Sequence, residues 1–130
     1  MRRVRERPGA VARGEAGMVT AETAVVLPVL LLVLAGAVAA VTVVGAQLRC
    51  VDAAREGARA AARGEPDVTV SRLVGELSPD GAVSRVTGDA DKVRVTVTVR
   101  VAPLGPVPIA VPLSATAVAV REPGSAEESG

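Results

Sequence analysis

The chain has 130 residues, no His, Phe, Tyr or Trp, and one cysteine, Cys50. That inventory leaves room for one small domain and excludes Ser–His and Cys–His nucleophiles, an intramolecular disulfide, zinc fingers and CxxC redox motifs. A net charge of +1 provides no global basic field, so no nucleic-acid partner is expected.

The first segment is basic. Residues 1–17 hold five Arg (Arg2, Arg3, Arg5, Arg7, Arg13) against Glu6 and Glu15, a balance of +3, whereas residues 18–130 hold ten basic and twelve acidic groups, a balance of −2. From Thr23 to Ala46 follow 24 residues without a charge. That is long enough to cross a hydrocarbon core of about 30 Å at about 1.5 Å per residue. A basic flank before such a run orients it with the N-terminus in the cytoplasm. A secretory signal peptide has a shorter apolar region, usually about 7–15 residues. A retained single-pass anchor is therefore preferred. Pro28 removes a backbone N–H inside the run and is expected to kink the helix. Gly36 and Ala40 stand four apart with Ala35 and Ala39 beside them, a spacing that lets helices approach closely.

The segment "QLRCVDAAREGARAAARGEP" carries the helix onward. Leu48, Val51, Ala54, Ala58 and Ala61 form an apolar stripe, and Arg55, Arg59 and Arg63 form a column. Asp52 and Glu56 precede Arg55 and Arg59 by three residues, a spacing for weak ion pairs. This face is either solvated or paired with neighbouring subunits. Cys50 reads as a small buried side chain or as an inter-chain thiol. The helix is expected from about Ala21 to Arg63 and to end at Gly64 and Pro66.

Beyond Pro66, Asp67 is expected to cap a short helix, "VTVSRLVGEL", whose apolar face is Val70, Leu73, Val74 and Leu77, although "VTV" also fits the beginning of a strand. "SPDG" and "GDAD" read as turns around the short strand "AVSRVT". "KVRVTVTVRV" alternates strictly, with Val93, Val95, Val97, Val99 and Val101 facing one way and Lys92, Arg94, Thr96, Thr98 and Arg100 the other. That pattern predicts a strand with one buried face. "APLGPVPIAVP" (102–112) carries four prolines and reads as a loop, either a contact surface or packed on the chain's own helix. "LSATAVAV" is a last strand, and 122–130 is a polar, disordered tail. Asp89 and Asp91 form a D-x-D pair in a turn that lacks the rest of a calcium loop. No phosphate loop follows a strand. No catalytic residue, metal site or cofactor is expected, and the chain reads as a non-enzyme.

The fold class is therefore α+β. A long N-terminal helix has a membrane-spanning half and an exposed amphipathic half. It packs on a small C-terminal domain of one short helix and a three-stranded antiparallel sheet. The expected divisions are a leader (1–17), a transmembrane helix (18–46), its extracytoplasmic continuation (47–65), the small α+β domain (66–121) and the tail (122–130).

The opening residues contain one further pattern: a basic leader, a Gly17–Met18 bond, and Glu22 at the fifth residue after that bond. This resembles the class III signal of type IV prepilins. "TAETAVVLPVLLLVL", followed by "AAREGARAAARGE" and a small sheet, resembles the TadE-like minor pilins of actinobacterial Tad (tight adherence) systems over nearly the whole chain. Met18 stands where many pilins carry Phe, and the paired cysteines of some pilins are absent. The resemblance implies a structural subunit of a Tad-type pilus or related secretion apparatus. A prepilin peptidase would cut between Gly17 and Met18. The implied partners are other pilin and minor pilin subunits, pilus assembly platform proteins and the lipid bilayer. The implied location is the bacterial plasma membrane, C-terminus outside, and the pilus after assembly. Glu22 would pair with the new Met18 amine of a neighbouring helix, where an unpaired buried charge is costly. Two alternatives stand beside this reading: a single-pass signal-anchored binding protein without a filament, and a secreted protein with an ordinary signal peptide.

Overall fold

A computed structural model of the protein describes residues 11–124 and the side chains from 14 onward. The chain is α+β: helix α1 (Val11–Ala62), helix α2 (Asp67–Leu77), and strands β1 (Val83–Gly88), β2 (Lys92–Val101) and β3 (Val111–Val120) in one antiparallel sheet of order β1-β2-β3. It divides into two compact units, Met1–Ala37 and Val38–Gly130.

In the first unit, α1 begins ten residues before the expected Ala21 and takes in the second half of the leader. Ala, Arg, Glu and Met make up five of residues 11–20. Once a helix is nucleated, adding such residues costs little, and Gly14 and Gly17 are not enough to stop it. The helix also continues through Pro28. Its large apolar side chains are exposed all round, among them Leu30, Leu31, Leu32 and Leu34. This is the one helix among the described residues long and apolar enough to cross a membrane. Thr20 and Thr23 donate their hydroxyls to the carbonyls of Ala16 and Val19 at 2.8 and 2.9 Å. Such bonds satisfy a hydroxyl within its own helix.

In the second unit, the rest of α1 and α2 cover one face of the sheet. Val93, Val95, Val97 and Val99 of β2 are buried, as the alternation predicts, while Lys92, Arg94 and Arg100 are exposed. Opposite three of these valines β3 presents small residues, with Ala119 against Val93, Ala117 against Val95 and Ala115 against Val97, while Leu113 faces Val99. The residues of α1 in the core are also small: Cys50, Ala53, Ala54, Ala58, Ala60, Ala61 and Ala62. The expected stripe is therefore rotated. Ala54, Ala58 and Ala61 are buried, but Val51 is only half-buried and Leu48 is 60% exposed. Small side chains let the helix axis come close to the valine face, and a large Leu would hold it away. Gly57 marks the closest approach. A Cβ there would collide with the side chain of Val74 and lie 3.2 Å from Val95.

The helix ends through a Schellman motif. Gly64 has φ +85°, its N–H donates to Ala61, and the Glu65 N–H donates to Ala60. Asp67 does not cap α2. Pro66 occupies that position, no side chain caps it, and the Thr69 and Val70 N–H groups donate to the Pro66 carbonyl at 2.9 and 3.0 Å. Asp67 is instead the acidic residue of the first turn, where its charge complements the helix dipole. On α2, Val70 and Val74 are buried, Leu73 is half-buried, and Leu77 is exposed. β3 begins at Val111, so Pro112 lies inside a strand rather than a loop. An edge strand tolerates a residue without an N–H.

Of the two expected ion pairs on α1, Glu56–Arg59 forms at 3.5 Å. Asp52–Arg55 is not among the ion pairs of the described residues, which otherwise comprise Arg63–Glu65. β3 is tied to α1 near both ends. Gln47 Nε2 donates to the Ser114 carbonyl at 3.0 Å, and the Glu122 N–H donates to the Ala62 carbonyl at 3.0 Å. Residues 1–10 of the leader and 125–130 of the tail lie outside the described residues.

Candidate functional site

The residues singled out in the sequence lie on successive turns of α1. Gly17, Met18 and Glu22 are all exposed, with Met18 at 75%. The Gly17–Met18 bond is inside the helix, not in an extended stretch. A peptidase acting on that bond would have to unwind the helix locally. Gly17 lowers that cost, because Gly in a helix interior is about 0.5–1 kcal/mol less favourable than Ala. Met18 and Glu22 are four residues apart and so share one helix face.

Glu22 sits in a shallow depression lined by Val19, Thr23, Val26, Leu27 and Leu30. It is the single charge of that apolar surface. Isolated in hydrocarbon, such a carboxylate is unfavourable, so it calls for a partner. Thr23 to Ala46 falls wholly within α1. Pro28 stands inside that run, a little under about two turns beyond Glu22.

Asp89 and Cys50, the titratable groups whose surroundings shift them, read as structural. Asp89 Oδ1 accepts the N–H groups of Asp91 and Lys92, each at 2.9 Å, and closes the β1–β2 turn. Those two hydrogen bonds hold its carboxyl below the usual carboxylate value. Arg121 Nε donates to the Asp89 carbonyl at 2.9 Å and braces the same turn. Cys50 is fully buried, and burial pushes its thiol up, with the Arg49 charge acting in the opposite sense. A thiol in that state is a poor nucleophile. Among the described residues, no group of three or more His, Cys, Asp or Glu is placed to hold a metal ion.

Sequence reasoning missed Gly57, Ala53, Ala60 and Ala62 as core residues. The signal was present. Cys50, Ala53, Ala54, Gly57, Ala58 and Ala61 form a ridge of small residues at three- and four-residue steps. Leu48 and Val51 outweighed that ridge because they are larger and more apolar.

Residues 17–59, from Gly17 through Glu22 and the apolar run to the Arg column, match the family described as TadE-like protein. One relative is the protein named Apoptosis inhibitor Rv3655c of Mycobacterium tuberculosis (strain ATCC 25618 / H37Rv). It is 40% identical over 104 residues, which cover 80% of this chain and 79% of the relative. No solved structure matches the chain. With that identity over four-fifths of both sequences, and with the family's own segment falling on α1, the chain belongs to the TadE-like family.

Proposed function

We propose that the chain is a minor pilin, a structural subunit of a Tad-type pilus or related secretion apparatus. One observation carries this reading. The family match begins at Gly17 and spans the whole apolar helix. The segment that makes the chain TadE-like is therefore the segment that would be processed, anchored and packed.

In this reading residues 1–17 are a leader and Thr23 to Ala46 span the plasma membrane. The leader stays in the cytoplasm and the chain from residue 47 onward lies outside. A prepilin peptidase cuts between Gly17 and Met18, and the mature chain enters a filament through α1. Assembly platform proteins and other pilin subunits are the partners. Glu22 pairs with the new Met18 amine. Within one chain the two are a helical turn apart, and in a bundle Glu22 also reaches the amine of a neighbouring helix. Either contact offsets a charge that is costly in a dry core. Pro28 loosens the helix within the span. The activity in the relative's name, apoptosis inhibitor, is that protein's and carries no part of this reading.

N-terminal sequencing of the membrane-extracted chain tests the reading. A start at Met18 supports it. An intact Met1 favours a signal-anchored binding protein, and a start near Ala46 with recovery in the medium favours secretion. If Glu22→Ala leaves both cleavage and incorporation into filaments unchanged, the pairing role of Glu22 is wrong.

A further inference from the structure

The second unit has a cleft of about 450 Å³ lined by the last turns of the apolar run and by two arginines. Val41, Thr42, Gly45 and Ala46 form one wall, Val101 and Ala102 another, and Arg49, Arg100 and Asp80 supply the charges. We propose that this cleft is a lipid site, in which Arg49 and Arg100 hold the phosphate of an anionic phospholipid from the bilayer that α1 crosses. The proposal rests on the reading of Thr23–Ala46 as a membrane span.

The span sets the depth of the cleft. A helix over Thr23–Ala46 is about 36 Å long, a little more than a hydrocarbon core of about 30 Å. Ala46 then stands among the headgroups on the C-terminal side, and Arg49, one turn later, at the level of the phosphates. Arg49 is the first charged residue after Glu22. Arg100 comes from β2, a different element, yet lines the same cleft. A single Arg at a helix end is ordinary; two that converge from helix and sheet beside an apolar wall form a receptor for a group with an anionic head and a greasy neighbour.

The cleft is also preorganised. Arg49 Nη2 donates to the Ser78 carbonyl at 2.9 Å, so its guanidinium is already fixed at the rim. The remaining N–H groups of its fork suit a phosphate, which Arg binds in a bidentate manner. Asp80 in the same lining offsets one of the two positive charges, leaving +1, the charge that complements a singly ionised phosphodiester.

The test is native mass spectrometry of the full chain in detergent micelles, with phosphatidylglycerol or phosphatidylcholine added. The wild type is expected to retain phosphatidylglycerol adducts in preference to phosphatidylcholine by about tenfold, and Arg100→Gln to abolish most of that preference. Arg49→Gln should do the same, and circular dichroism checks that each variant is folded. Arg55→Gln/Arg72→Gln removes two arginines away from the cleft and is expected to leave the preference intact. A preference that survives Arg100→Gln, or that falls equally in Arg55→Gln/Arg72→Gln, overturns the site. Alkaline carbonate extraction of the membranes separates the two levels. A chain that resists extraction but shows no Arg100 dependence refutes the lipid site alone. A chain that is extracted refutes the span, and the lipid site with it.

Discussion

Gly57→Ala is the sharpest probe of how α1 meets the rest of its unit. In an exposed helix interior this change stabilises by about 0.5–1 kcal/mol, because Ala loses less backbone freedom than Gly on folding. Here the added Cβ runs into the Val74 side chain and comes within 3.2 Å of Val95 and 3.7 Å of Val70. All three valines are fully buried. A β-branched side chain has one strongly preferred rotamer in a helix, so Val74 cannot swing aside cheaply. Overpacking of this kind costs about 1–3 kcal/mol. The expected net effect is a loss of about 1–2 kcal/mol. Gly75→Ala is the matched control, since Gly75 lies within α2 with nothing near a Cβ. It should gain the propensity term. Cys50 is the one thiol and is fully buried, which makes it a built-in reporter. Pulse labelling of Cys50 in the full chain, in detergent across a urea gradient, reads when this core opens. With a slope of about 2 kcal/mol per molar, the Gly57→Ala midpoint should fall by about 0.5–1 M. The Gly75→Ala midpoint should rise. If Gly57→Ala rises as well, the close approach of α1 to Val74 is not a packing constraint and the reasoning fails.

Hydrogen bonding and burial also set two pH dependences. Asp89 titrates below the ordinary 3.8 because two backbone N–H groups stabilise its charged form, so its contribution to stability is present above the unfolded value and disappears as pH falls through the folded one. A carboxyl-carbon NMR titration should place its midpoint below that of a disordered Asp; a midpoint at or above the ordinary value contradicts the hydrogen-bonded turn. Cys50 titrates above the ordinary 9.0, chiefly by desolvation. Folding thus favours the protonated thiol, and that stability is complete below the unfolded value and lost as pH rises through the folded one. The urea midpoint should decline above about pH 9. In Cys50→Ala, which lacks the thiol and is therefore followed by circular dichroism alongside the wild type, that part of the decline should vanish.

The strand β2 is legible residue by residue, because strict alternation leaves one solution for which face is wet. The turn at Asp89 and the stop at Gly64 are legible for a related reason: each depends on local chemistry that few residues provide. The failures share a cause. Residue type alone points Asp67, Pro112 and Leu48 to a cap, a loop and a core, and neighbours decide otherwise. Pro66 takes the cap from Asp67, an outer position in the sheet accommodates Pro112, and the small-residue ridge displaces Leu48. The early start of α1 is hidden because propagation from a long helix overrides a few weak residues. In the candidate site, Gly17, Met18 and Glu22 stand out as a pattern, but their helical setting comes only from the fold.

The two ties between α1 and β3 have a mechanical consequence. Gln47 and Ala62 are about 22 Å apart along the helix at about 1.5 Å per residue. Ser114 and Glu122 are about 26 Å apart along the extended chain at about 3.3 Å per residue. The spans nearly match, so helix and strand lie side by side as a bolted pair. Tension along the axis of this part of α1 loads both fastenings together, in shear, along with the valine face between them. In that geometry an axial pull bears on both ties and on the valine face at once, rather than on either end alone.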